Sequence, residues 1–229
     1  MIIHTPAIVL NSFPYGDTSL IARCFTKDQG KVSLIVKGAR TKTSPKSAQF
    51  QPISFIDIIY HQKSNRALQV LSKVNFRESW SRILDDLKSV TLAMAILEMT
   101  ERTIHDDDPH PGLFSILVDV LRAYNHGEVD PNLLFWFYEC SLLSHLGFQP
   151  NLDQRELPGV ILPDPNLGPN SGIILASLLS EDITKLPREE ITPIDLKIIS
   201  DYLWTLLRYH FDNLDKMKSM GVARKILNN

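Results

Sequence analysis

The sequence predicts an α+β chain, a small closed β-barrel over residues 1–80 followed by an all-α domain over residues 81–229. Three observations carry this. Five short runs rich in Val, Ile and Phe fill the first 80 residues, with polar or Gly/Pro-containing breaks between them. The hydrophobic period then changes from two to the helical three-and-four spacing near Ile83. The charge changes in the same place: residues 1–80 carry eleven Lys or Arg against four Asp or Glu, a formal +7. The remainder carries thirteen against twenty-two, a formal −9, so the total of −2 hides two opposite halves. A length of 229 residues allows one large domain or two small ones, and a hydrophobic content of 44% excludes disorder throughout.

The expected strands are Thr5–Asn11, Ser19–Thr26, Lys31–Lys37, Phe50–Gln62 and Ala67–Phe76. Turns are expected at Tyr15–Gly16–Asp17 and at Lys27–Asp28–Gln29–Gly30. Five short strands in one flat sheet would leave exposed edges, and curling into a barrel removes them; an SH3-like barrel is the alternative. Leu84, Leu87, Val90, Met94 and Leu97 mark one side of a helix over Ile83–Ile104, and Leu113, Leu117, Leu121 and Tyr124 mark a second over Pro111–Asn125. Asp130 followed by Pro131 reads as a cap and first-turn proline for a third helix that Gly147 ends. Five prolines and three glycines between Pro150 and Gly172 exclude regular helix there, so an irregular insert spans about 150–172. A short helix follows over Ile173–Leu179, Thr192 and Pro193 open the last long helix, and Met217–Leu227 forms a terminal one.

The chain has only Cys24 and Cys140, both among apolar neighbours, which reads as two buried free thiols in a reducing compartment. The N-terminus lacks a signal-peptide pattern, and no stretch approaches the ~20 apolar residues of a membrane helix. A cytoplasmic location without a membrane partner is the expectation.

No Asp or Glu occurs between Gln29 and Ile56, whereas Lys31, Lys37, Arg40, Lys42 and Lys46 all lie there. Gly38 lets the chain turn after the third strand, and the polar run Thr41–Ser47 presents these cations to solvent. Such a loop neutralises phosphates, with Thr41, Thr43, Ser44 and Ser47 as hydrogen-bonding partners; the bland reading is a solubilising surface loop. Phe50, Phe55, Tyr60 and Phe76 are at strand spacing, which fits barrel core better than base stacking. The cluster His105, Asp106, Asp107, Asp108 and His110 has metal-ligand types, but Pro109 interrupts it and an acidic interhelical loop explains it. In the helical part, Arg122, Lys197, Arg208, Lys216 and Lys218 stand out against an acidic background as candidates for an acidic-hydrophobic peptide partner. No nucleophile constellation, phosphate-loop or dinucleotide fingerprint is found, so no catalytic residue, metal or cofactor is assigned.

Several segments together resemble one family. They are Ile8–Val9–Leu10, Tyr15–Gly16–Asp17–Thr18–Ser19, Phe25–Thr26, Gly30–Lys31, Lys37–Gly38–Ala39–Arg40 and Phe50–Gln51–Pro52 near the start. Phe135–Trp136–Phe137–Tyr138–Glu139 and Leu142–Leu143–Ser144–His145–Leu146–Gly147–Phe148–Gln149–Pro150 follow, and then Lys216, Lys218 and Ser219. This pattern resembles the RecO recombination-mediator proteins of bacterial DNA repair. The resemblance implies an N-terminal OB-fold before the α-helical domain, and binding of single- and double-stranded DNA. It also implies annealing of complementary strands, cooperation with RecR, and contact with the C-terminal tail of the single-strand-binding protein. The same resemblance implies loading of recombinase on coated strands and association with the nucleoid during repair, without bond-breaking chemistry. Lys37 and Arg40 fit the family's basic segment, and Lys42 and Lys46 lie in the adjoining loop. Many relatives carry a four-cysteine zinc module after the Gly-Phe-x-Pro segment. Residues Asn151–Gly172 hold no cysteine, so a zinc-less, irregular or hairpin-like substitute is expected. A protein-only adaptor that recognises an acidic partner is the alternative of a different class.

Overall fold

A computed structural model describes residues 1–63, 65–187 and 190–227. The N-terminal strands are β1 (Ile2–Tyr15), β2 (Ser19–Thr26), β3 (Gly30–Val36), β4 (Phe55–His61) and β5 (Leu68–Glu78). They close into a barrel in the order β1-β2-β3-β5-β4, with β1 pairing both β2 and β4. Every pairing is antiparallel except that of β3 with β5. This is a five-stranded barrel of the OB type, and it sets aside the SH3-like alternative. The core follows the period-two pattern: Ala7, Val9, Leu20, Ala22, Cys24, Val32, Leu34, Val36, Ile56, Ile58 and Tyr60 point inward, joined by Ala39 and Phe50 from the β3–β4 connection.

Two strand boundaries differ from expectation for identifiable reasons. The expected strand at Phe50–Gln62 begins only at Phe55. Phe50 instead closes a one-turn helix α1 (Lys46–Gln49), and Pro52 and Ile53, the latter at φ +75°, turn the chain. The strand expected at Thr5–Asn11 runs from Ile2 to Tyr15, because its first half pairs with β4 from Ile2 onward and its second half stays paired with β2 to Tyr15, across a β-bulge between Val9 and Asn11. There the Val9 N–H donates to the Ser54 carbonyl (3.0 Å) and the Ile53 N–H donates to the Val9 carbonyl (3.1 Å), so backbone groups at the irregularity are satisfied.

The helices are α2 (Leu87–Thr103), α3 (Pro111–His126), α4 (Pro131–His145), α5 (Ser171–Leu178), α6 (Pro193–His210) and α7 (Lys218–Leu227). The helix expected from Ile83 starts four residues later, after a 3₁₀ turn at Ser81–Asp85. Asp86 accepts a hydrogen bond from the Ser89 N–H (2.8 Å), which is helix-capping geometry. Asp130 caps α4 through the Asn132 N–H with Pro131 in the first turn, and Thr192 with Asp195 forms a full capping box at α6.

The chain divides into two compact units. One comprises Met1–Ser81 with Leu97–Leu121, the other Arg82–Ile96 with Arg122–Asn229. In the first, Phe114 meets Phe25 edge-on (5.6 Å between centroids) and lies 6.2 Å from Phe55, which stacks on Trp80 at 5.3 Å. These rings form a second apolar layer outside the barrel. In the second unit, α4 is buried from Asn132 to Leu143, as expected of a central helix that is apolar all round. Trp136 Nε1 donates to Ser200 Oγ (3.2 Å) and the Tyr202 hydroxyl donates to the Asn151 carbonyl (3.2 Å). The irregular insert contains a minimal hairpin, β6 (Glu156–Leu157) with β7 (Val160–Ile161), turning at Gly159 with φ +80°. Among the described residues, no helix is long and apolar enough to cross a membrane.

Candidate nucleic-acid interface

The basic segment after β3 is anchored at both ends by buried apolar residues, Ala39 and Phe50, so the polar stretch between them must bow outward. Gly38 adopts φ +68° with open space where a side chain would start, so it is needed for backbone conformation and not for close approach. Thr41 folds back, its N–H and hydroxyl both donating to the Gly38 carbonyl (3.4 and 3.0 Å). The loop is docked on the β1–β2 turn. The Arg40 N–H donates to the Thr18 carbonyl (2.8 Å), and Arg40 Nη1 donates to the Gly16 carbonyl (3.0 Å). Lys46 Nζ reaches the Lys37 carbonyl at 3.4 Å. Lys37, Arg40 and Lys42 are exposed and Lys46 is half-buried. Four cations therefore share one short loop braced against a hairpin end.

Lys31 is placed differently. Its side chain is 8% exposed, its Nζ donates to the Glu101 carbonyl, and it lies 3.5 Å from Asp106 Oδ1. Arg23 joins the same cluster through Asp106 (2.8 Å), Glu101 (3.2 Å) and Ser33. Burial and the neighbouring Arg23 guanidinium pull the Lys31 ammonium below its ordinary value, against the raising effect of Asp106 and Glu101. Desolvation opposes the ionised Asp106, yet the hydrogen bonds and charges of Arg23 and Lys31 hold its carboxyl below the usual range. Lys31 thus ties β3 to the last turn of α2 and the segment after it, and has little surface to offer a phosphate. The acidic run at 105–110 is explained in part by the same cluster, and Asp108 bonds His110 (3.0 Å). Among the described residues, no group of three or more His, Cys, Asp or Glu could hold a metal ion.

Of the aromatic residues at strand spacing, Phe50, Phe55 and Tyr60 are buried and only Phe76 is exposed. Two aromatics that the strand pattern did not single out, Phe13 and Tyr15, are exposed on β1 beside the docked loop. In the helical unit, Lys197 and Arg208 lie on one stripe of α6, three turns apart, and Arg208 is exposed. Arg208 is ion-paired with Asp215, which brings the 212–216 turn and Lys216 to the end of α6; Lys218 follows at the start of α7. Arg122 lies on α3, outside that stripe.

Comparison with known sequences bears on the whole chain. A family described as "Recombination protein O N terminal" matches residues 1–80, and one described as "Recombination protein O C terminal" matches residues 84–220. The chain belongs to the RecO family. It is similar to the DNA repair protein RecO of Salinibacter ruber, 27% identical over 98% of this chain and 94% of that protein. The RecO of Chlorobium limicola is 27% identical over 99% of both chains, and that of Exiguobacterium sibiricum 31% identical over 67% of this chain and 60% of that one. RecO membership carries a general role in DNA repair and recombination, and the OB-type barrel followed by helices is the RecO architecture. The hairpin at 156–161 lies in a stretch, Asn151–Gly172, that holds no cysteine.

Proposed function

We propose that this chain is a non-enzymatic recombination mediator that holds the phosphate backbone of single- and double-stranded DNA through Lys37, Arg40, Lys42 and Lys46. It anneals complementary strands and, with RecR and the C-terminal tail of the single-strand-binding protein, helps load recombinase on coated DNA in the cytoplasm, at the nucleoid. The observation that carries the reading is the acid-free loop bearing four cations, braced on the β1–β2 turn of an OB-type barrel. OB barrels bind nucleic acid with their β2–β3 face and adjoining loops, and phosphate contacts position strands without reading sequence. Lys31 is left out of this set because its ammonium is engaged inside the protein. The α6–α7 region, with Lys197, Arg208, Lys216 and Lys218, is assigned to a protein partner, with Arg122 as an outlying member.

The test is fluorescence-anisotropy titration of a labelled oligonucleotide across a salt series, with wild type against K37A/R40A/K42A/K46A. Each phosphate that the protein no longer neutralises flattens the dependence of log K on log salt by about 0.7 on single strands. The quadruple variant is therefore expected to lose a slope of up to about 3, together with most of the affinity. Equal binding by both proteins would move the surface elsewhere. No binding by either at low salt would favour the adaptor reading, in which the loop meets an acidic protein.

A further inference from the structure

The bulge in β1 reverses which way its second half faces. Before it, the inward residues are Ala7 and Val9, and Val9 pairs with inward-facing Cys24. After it, Asn11 pairs with Arg23 and Phe13 with Ile21, both on the outward side of β2. An unbroken alternation would have sent positions 11, 13 and 15 into the core. The extra residue, Leu10, shifts the parity and turns Phe13 and Tyr15 out to solvent, where they are 45% and 50% exposed.

The register then shows what they adjoin. Phe13 pairs with Ile21, and Ile21 pairs with Ile35 of β3, forming one outward row of an aromatic and two half-buried aliphatic residues. Tyr15 stands two residues further along the same face, opposite Ser19. Lys37 stands two residues beyond Ile35, at the same end of the sheet. The turn that follows Tyr15 is the one that receives both Arg40 hydrogen bonds. Single exposed apolar side chains need no explanation, but a contiguous stripe bordered by cations does.

We propose that Phe13 and Tyr15 form a base-stacking platform for single-stranded DNA, with the adjoining loop holding the phosphates of the same strand. This rests on the DNA-binding reading above and adds the part of the ligand it contacts. The charge beside the platform selects a polyanion, and the flat aromatic faces select a polyanion with exposed rings. A duplex keeps its base faces inside its own stack, so the platform serves single strands and gives the chain a preference that phosphate contacts alone do not supply.

The experiment uses the full chain and three labelled ligands: oligo(dT), an abasic oligonucleotide of equal length, and a duplex. F13A/Y15A is expected to bind oligo(dT) at least about 10-fold more weakly than wild type, a loss within the range for stacking on a single base. It should bind the abasic strand and the duplex as wild type does, and keep the wild-type salt slope on every ligand. Because the residues are exposed, its unfolding midpoint should match wild type. A second readout does not depend on a truncated side chain. Trp introduced as Tyr15→Trp should be quenched by oligo(dT) and not by the abasic strand, read as the difference from wild type. Unchanged oligo(dT) affinity in F13A/Y15A, an equal loss on the abasic strand, or no selective quenching would overturn the platform. If the salt slope still collapses in K37A/R40A/K42A/K46A, the phosphate reading stands without it. A wild-type chain that binds none of the three ligands overturns both and leaves the stripe to a protein.

Discussion

The fate of a single lysine shows how far charge counting goes at the residue scale. Lys31 belongs by sequence to the same acid-free segment as Lys37, Arg40, Lys42 and Lys46. Its partners, Glu101 and Asp106, come from 70 or more positions later in the chain, and no local pattern announces them. Lys31→Ala is expected to lower unfolding stability by about 2 kcal/mol, because it strips a buried, hydrogen-bonded ammonium from the cluster of Asp106 and Arg23. The oligonucleotide salt slope should stay at the wild-type value. Urea titration and the anisotropy series measure the two effects separately, and a flattened slope in this variant would return Lys31 to the phosphate set. Gly30 beside it is equally constrained: at φ +66° a Cβ would run into the backbone of Asp108.

At the scale of the element, strands and helices were readable wherever alternation or a cap stood intact. The β2 boundaries, Ser19 and Thr26, are those the alternation predicts, and Asp130–Pro131 opens α4 as its spelling requires. The reading stopped short at β1, ending the strand at Asn11 and placing Tyr15 in a turn, whereas the strand continues past a bulge to Tyr15. It also ran long at Phe50–Ser54, where apolar residues serve a turn. The same element scale shows a polar side chain buried to good effect. Asp195 is fully buried and accepts hydrogen bonds from the Thr192 N–H (3.1 Å), the Thr192 hydroxyl (2.6 Å) and the Asn170 N–H (2.8 Å), tying the insert to the start of α6. Desolvation opposes its ionised form, but these donors prevail and hold its carboxyl below the ordinary 3.8. A carboxylate whose folded value is lowered contributes in full above the unfolded value, and that contribution is lost as pH falls through the folded one. Asp195→Asn, which turns an amide donor toward existing donors, is expected to cost about 2 kcal/mol at pH 7. The gap between the two proteins should close as pH falls below 3.8, which unfolding curves at a series of pH values would record.

Across the whole molecule, the barrel is not finished by its own strands. Phe25 and Phe55 face outward and are covered by Phe114, and Arg23 is neutralised by Glu101 and Asp106, all from Leu97–Leu121. DNA-binding measurements therefore belong on the full chain. The broad division into a basic β part and an acidic helical part was legible from composition, because charge and period change together. The joining of residues 97–121 to the barrel unit was not, because it depends on contacts between segments far apart in sequence.

Each compact unit also holds one buried cysteine, Cys24 in the barrel core and Cys140 in the middle of α4. Burial pushes the Cys24 thiol up to about 12 and raises Cys140 well above its ordinary value, so neither supplies thiolate to a reagent while its surroundings are closed. Alkylation is thereby a native clock for opening, with one hand in each unit. Iodoacetamide pulses followed by peptide mass spectrometry are expected to label both sites slowly in buffer and quickly in urea. Modification of either site within seconds at pH 8 without denaturant would show that core to be open. If the two rates part company in intermediate urea, the units unfold one at a time, and the order is read from the untouched natural sequence, without a probe having to be engineered in.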